Sequence, residues 1–271
     1  MERLSVLVCT MSDRLDTLRP EQYPTADGVA YVFSCQYPAS AAAPQPPRWL
    51  QERPDASFHP LPGRGLSANR NHALGLCRTE LAVIADDDVT YTAAGLEGAI
   101  AVFDKHPDVD IACFQATDMR GKPIKAYADA PFEYAKRPRG TYFTSFELAL
   151  RLSPALPRFD ERFGLGSERL GCGEEEVFLC DACRGGLRIV YFPIVLCATD
   201  NPHTTGHKFY EEAAVRRAKG GVLAYCYPAL PALLRILRHV PLIRRGRRLR
   251  SLADMLAGAA YIWKTRAKTP R

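Results

Sequence analysis

No hydrophobic run in this sequence approaches the roughly 20 residues that a membrane-spanning helix needs. The longest weakly polar stretch, Gly221–Leu234, is broken by Pro228 and Pro231. The opening apolar run, Leu4–Cys9, is too short for the core of a secretory leader, and no small-residue cleavage site follows it. Cysteine spacing offers no disulfide or zinc framework either. The count is nine, and Cys9, Cys35, Cys113 and Cys197 sit inside strand-like apolar runs, where a thiol behaves as a small hydrophobe. Cys180 and Cys183, with Cys172 nearby, form one pair, whereas a structural zinc site wants two pairs or a pair plus spaced histidines. These absences predict a cytoplasmic protein that does not cross a bilayer.

Acid is scarce in the last part of the chain. From Arg216 to Arg271 there are fourteen Lys or Arg and one acid, Asp254, a net +13. The whole chain carries +6, so Met1–Val215 carries −7. An acidic body with a basic tail points to two jobs, or to one job done at a charged surface. The 271 residues and the 47% apolar content are enough for one large domain with an appendage.

What is present alternates between strand and helix. Leu4–Cys9, Val29–Ser34, Ser57–Leu61, Leu81–Ala85, Val109–Gln115 and Leu187–Phe192 read as short buried strands. Asp13–Arg19, Ser67–Cys77 and Thr92–Lys105 read as helices, as does the segment around Cys180–Cys183. Pro38–Pro47 is a loop by composition, and Ala116–Gly140 is rich in turn formers. The alternation predicts an α/β fold with a mostly parallel, Rossmann-like sheet flanked by helices. Ligands of such sheets bind beyond the carboxyl ends of the strands. Thr10–Arg14, Gln36 and Asp86-Asp87-Asp88 all fall at such ends, so they are expected on one rim.

Three adjacent carboxylates at the end of a buried strand repel one another and call for a counter-charge. A divalent cation, Mg or Mn, suits oxygen ligands of this kind. The bland alternative is a solvated turn whose aspartate caps the next helix. A second chemical reading is also open. Asp86–Thr90 spells Asp-x-Asp-x-Thr, the signature of haloacid dehalogenase-type phosphatases, in which Asp86 would be nucleophile and Asp88 general acid.

Five segments taken together resemble the family 2 glycosyltransferases. They are Leu4–Thr10, Gly65–Leu74, Ile84–Val89, Phe159–Gly166 and Gly173–Leu179, in that order, and the resemblance covers about Leu4 to His207. It implies a GT-A fold and a hexosyl or related transferase that takes its sugar from a nucleotide diphosphate, with a UDP-sugar favoured. The acceptor would be a saccharide or a lipid-linked saccharide, in cell-surface polysaccharide or glycoconjugate synthesis. The phosphatase motif, by contrast, normally opens its domain, and its later lysine and paired-acid motifs have no counterpart here.

The resemblance also implies roles. Thr10, Ser12 and Arg14 would embrace the nucleoside. Gln36 stands where the family usually places a uracil-reading aspartate, and its amide can both donate to and accept from a base edge. Arg70 would lie near the donor phosphates, Asp86 and Asp87 near the nucleotide sugar, and Asp86 and Asp88 on the metal. His203 would be a further metal ligand. Glu175 would be the catalytic base and Glu174 would orient the acceptor, beside an acceptor-side loop containing Gly164 and Gly166. An inverting displacement follows from a base on the acceptor side.

The division expected is a catalytic domain over residues 1–207 and a basic, amphipathic helical region over 208–271. Between Tyr225 and Arg271, Leu233-Leu234, Ile236-Leu237, Leu242-Ile243 and Tyr261–Trp263 interleave with seven arginines from Arg235 to Arg250. That mixture suits a helix lying on an anionic membrane at the inner face, and the tail shows no nucleic-acid motif.

Overall fold

A computed structural model describes residues 2–201, 205–239 and 248–265. They group into two compact units. The first comprises Met1–Arg64, Ala68–Arg158 and Asp181–Pro202, and the second Gly65–Ser67, Phe159–Cys180 and His203–Arg271.

The first unit is built on one nine-stranded sheet. Its strands are β1 (Leu4–Met11), β2 (Val29–Tyr37), β3 (Ala56–Pro62), β4 (Leu81–Asp86), β5 (Val89–Tyr91), β6 (Ile111–Asp118), β7 (Phe132–Glu133), β8 (Leu148–Arg151) and β9 (Ile189–Thr199). They lie in the order β3-β2-β1-β4-β8-β6-β9-β5, with β7 also paired to β9. β1 to β4 pair in parallel, as do β6 and β9, while β8 runs antiparallel to both its neighbours. The mostly parallel α/β sheet predicted from the alternation is therefore present. Its central strands are predominantly apolar because both faces are covered: Leu4, Val6, Leu7 and Val8 of β1 and Leu81–Ala85 of β4 are fully buried.

Three helices belong with this sheet along the chain: α1 (Arg48–Gln51), α2 (Leu66–Leu76) and α3 (Ala93–Lys105). The Thr92 hydroxyl caps α3 by accepting from the Gly95 backbone N–H at 3.0 Å. Gly95 itself permits close packing, since a Cβ there would meet the Leu196 carbonyl oxygen of β9 at 2.5 Å. The predicted first helix is instead a 3₁₀ segment, Ser12–Thr17, and most strands extend beyond their predicted ends. β5, β7 and β8 were not anticipated. Each has four residues or fewer, too few for an alternation to declare itself.

The second unit is helical. α4 (Glu174–Arg184) begins in it, and α5 (Ala213–Cys226), α6 (Ala229–His239) and α7 (Arg248–Thr265) lie wholly within it. Its core gathers Phe163, Leu170, Val177, Ala218, Val222, Ile236, Met255, Ala259 and Ile262. α5 and α7 meet backbone to backbone: a Cβ on Gly220 would collide with the Met255 carbonyl, and one on Gly258 with the Arg217 carbonyl. Asp254 accepts from the Arg216 Nε at 2.8 Å, so the lone acid of the tail faces inward. Leu242, Ile243, Arg244, Arg245 and Arg247 of the predicted amphipathic tail lie outside the described residues. Among the described residues no helix is long and apolar enough to cross a membrane.

Candidate active site

β1, β2 and β4 finish side by side. Met11 lies opposite Gln36, and Cys9 lies opposite both Ser34 and Asp86. The rim inferred from strand ends is thus a real feature of the first unit, carrying Thr10, Gln36 and the three aspartates. Gln36 is buried, and its side-chain amide makes no hydrogen bond to the described residues. Ser12 and Arg14 lie on the 3₁₀ segment that leaves β1.

The three aspartates are wired differently. Asp86 accepts from Arg70 Nη2 at 2.8 Å, and the same nitrogen donates to the Ser145 hydroxyl at 2.6 Å. Arg70 is only 1% exposed, so it is a buried cation locked to the acidic run and not a surface charge. Asp87 accepts from the Thr10 hydroxyl at 2.7 Å and is clamped by Arg14 through Nε at 2.7 Å and Nη2 at 2.6 Å. Such a two-pronged guanidinium clamp fixes orientation as well as charge. Asp88 has no ion pair among the described residues, and the Thr199 hydroxyl donates to its backbone carbonyl at 3.2 Å. Its carboxyl is pushed up to about 6, by burial first and then by the charges of Asp86 and Asp87, against a smaller opposing pull from Arg14.

Neighbouring side chains hold the run in place. Gln22 donates to the Asp87 carbonyl at 3.1 Å, and Asn69 donates to the Thr10 carbonyl at 3.1 Å. Ser145 sits in a 3₁₀ turn whose capping residue Thr144 gives both its N–H and its hydroxyl to Glu147 at 2.6 Å. Glu147 is fully buried and also accepts from Tyr127 and Lys125, each at 2.5 Å. Sequence reasoning missed Gln22, Asn69, Ser145 and Glu147. Asn69 alone had a local signal, since it precedes Arg70 within the Gly65–Leu74 segment.

Whether the run suits a divalent cation can be judged on its charges. Two of its carboxylates are ion-paired with arginines, whereas the third, half-buried Asp88, makes no ion pair among the described residues and its pKa is raised. That donor set fits a hard cation completing its shell with phosphate oxygens and water, as Mg and Mn commonly do. Among the described residues, no group of three or more His, Cys, Asp or Glu forms a ready-made cage. His203 lies outside the described residues.

In the second unit Gly164, Gly166 and Gly173 all adopt positive φ, at 102°, 82° and 89°. The Phe163–Leu170 turn is closed by the Gly164 N–H on the Leu170 carbonyl at 2.9 Å, and the Ser67 hydroxyl donates to the Phe163 carbonyl at 2.7 Å. A Cβ on Gly164 would press against the Ser67 hydroxyl and the Glu174 carboxyl at 3.0–3.3 Å, so only glycine lets this turn lie on Glu174. Glu174 is buried, Glu175 half-buried, and Glu176 pairs with Lys219 at 3.3 Å. All three acids occupy the first turn of α4, where the helix dipole favours negative charge.

Comparison with known proteins adds a family match over part of the chain and a fold. Residues 48–155 match the family described as Glycosyl transferase family 2. The crystal structure of S. aureus TarS 1-349 is similar with a TM-score of 0.58 and 16% identity, over 98% of this chain and 91% of that one. The same fragment in complex with UDP-GlcNAc gives 0.56 and 15%, over 98% and 92%. The mannosyltransferase PcManGT from Pyrobaculum calidifontis, in complex with GDP-Man and Mn2+, gives 0.54 and 17%, over 99% and 76%. No curated protein matches by sequence. The fold is that of the GT-A glycosyltransferases.

Proposed function

We propose that the chain, which matches Glycosyl transferase family 2 over residues 48–155, is a metal-dependent, inverting glycosyltransferase that uses a nucleotide-diphosphate sugar. The observation that carries this reading is the uneven wiring of the acidic run: Asp86 is paired with Arg70 and Asp87 with Arg14, whereas half-buried Asp88 makes no ion pair among the described residues. Asp88, with Asp86, would hold Mn or Mg. The bound cation would offset charge developing on the departing diphosphate. Similar structures hold UDP-GlcNAc or GDP-Man, and a UDP-sugar is the favoured donor here. Thr10, Ser12, Arg14 and Gln36 are read as the nucleoside side. Arg70 holds the Asp86 carboxylate in place through their ion pair, and is read as serving the donor through that aspartate. The same arrangement disfavours the phosphatase reading, because a nucleophilic Asp86 would have to act while tied to Arg70 and Ser145.

On the acceptor side, Glu175 is read as the base, with Glu174, Gly164 and Gly166 shaping the place of a saccharide or lipid-linked acceptor. The acceptor oxygen attacks the anomeric carbon as its proton passes to the Glu175 carboxylate. The bond from that carbon to the diphosphate oxygen breaks with its electron pair leaving on the diphosphate. Attack from the face opposite the leaving group inverts the configuration.

Calorimetric titration of UDP and GDP, in chelator and in Mn, tests the donor side. Binding is expected to tighten at least tenfold with the cation, and Asp88→Asn should abolish that gain while keeping the melting temperature. Equal affinity with and without Mn removes the metal bridge. An Asp88→Asn enzyme that retains most of its turnover removes the assignment of Asp88.

A further inference from the structure

α6 turns two different faces outward and inward. Ala232 and Ile236 are buried in the core of the second unit. Leu230, Leu234 and Leu237, by contrast, are exposed at 68%, 59% and 53%. Their spacing of four and three residues places them within about 60° of one another on the helix surface, a continuous ridge of three leucines. Single exposed leucines need no explanation, but a ridge of them at helical spacing marks a contact surface.

The ridge has a charged border of one sign. Arg238 follows Leu234 around the helix by about 40°, and Arg235 lies beyond it on the same side. Arg235 is held in place, with its guanidinium 3.9 Å from the centre of the Tyr227 ring and Nη1 donating to the Pro231 carbonyl at 3.3 Å. α7 opens with Arg248, Leu249 and Arg250, and Leu249 is 84% exposed. The single acid after Arg216 is Asp254, which is paired with Arg216 and therefore unavailable to offset these charges.

We propose that this outer face of α6 docks on an anionic lipid bilayer, the leucines entering the headgroup–acyl boundary and the arginines meeting lipid phosphates. Charge complementarity selects this occupant. A second copy of the chain would bring Arg235 and Arg238 against their own kind. A nucleic acid would want the cations at the centre of the contact and has no use for a leucine ridge. An interfacial helix needs both features in this arrangement, an apolar stripe with a basic flank. The surface uses none of the residues assigned to donor or acceptor, so the proposal stands apart from the transfer reading.

Co-sedimentation of the full chain with phosphatidylglycerol/phosphatidylcholine vesicles, against phosphatidylcholine alone, is the test. The wild-type chain should pellet with the anionic vesicles and be released by high salt. A triple Leu230→Gln, Leu234→Gln, Leu237→Gln variant should lose at least tenfold in partitioning at an unchanged melting temperature, because glutamine is nearly as good a helix former as leucine. Arg235→Gln with Arg238→Gln should reduce binding to anionic vesicles alone. Three outcomes overturn the proposal: equal partitioning of the triple variant, displacement of the vesicles by RNA at the same face, or a wild-type dimer in solution that the leucine substitutions dissolve.

Discussion

At the scale of single residues, the histidines beside the rim carry a pH dependence whose sign can be worked out. His72 Nδ1 is 2.8 Å from the hydroxyl of buried Ser34, and His59 pairs with Ser34 across β2 and β3. Burial lowers both imidazoles below the ordinary value of 6.5, and for His72 the neighbouring His59 lowers it further. A pKa depressed in the fold means that the unfolded chain takes up protons first as pH falls. The stability held by the neutral imidazoles is therefore intact above about 6.5 and is lost as pH drops through 6.5 toward the folded-state values. Urea unfolding at pH 7.5 and 5.5 should show this loss, at no more than about 1.4 kcal/mol per pH unit for each histidine. His72→Asn with His59→Asn should flatten the slope in that interval. An unchanged slope would assign the pH dependence to other groups.

Helices and strands differ in how much of their placement their own residues declare. β1, β2 and β4 were legible because a strand buried on both faces is predominantly apolar, and α2 and α3 because their glycine, proline and threonine boundaries are local. β8 was not, since its four residues are inserted antiparallel between β4 and β6 by pairing distant in sequence. Which tail residues turn inward was illegible for a similar reason. Ile236 and Ile262 look like members of an amphipathic surface stretch, yet they are fully buried with Phe163 and Leu170, which lie far earlier in the chain. α5 and α7 make this core possible through Gly220 and Gly258, whose Cα atoms face carbonyls of the opposite helix. In an ordinary exposed helix, glycine to alanine stabilises by about 1 kcal/mol. Here Gly258→Ala, or Gly220→Ala, should do the reverse and cost about 1–3 kcal/mol, because backbone cannot give way as a flexible side chain can. Denaturant midpoints settle the sign. A stabilised alanine variant would mean that the two helices do not pack this closely.

For the molecule as a whole, the readable part of the site was the run Asp86–Asp88 and its place at a strand end. The unreadable part was which cation serves which acid. Arg14 reaches Asp87 across 73 residues of sequence, and Arg70 turns to Asp86 and Ser145 in the fold, while the family likeness alone sent it toward phosphate. The described residues proposed for the donor side belong to the first unit, whereas Glu174 and Glu175, proposed for the acceptor side, belong to the second. Binding of donor and activation of acceptor should then respond to different substitutions. Glu175→Gln keeps the shape of the side chain and a hydrogen-bonding group but cannot take the acceptor's proton. It should lower the rate of transfer by roughly 10²–10⁴, the usual worth of a general base. Calorimetric affinity for the nucleotide should stay near that of the wild type, because the lost interaction develops mainly in the transition state. Glu174→Gln should instead raise the KM for the acceptor and spare the donor. The product formed from an α-linked donor reports the stereochemistry directly by NMR, and a β linkage is expected. A retained α linkage, or normal turnover in Glu175→Gln, would take the base away from Glu175 and the single-displacement scheme with it.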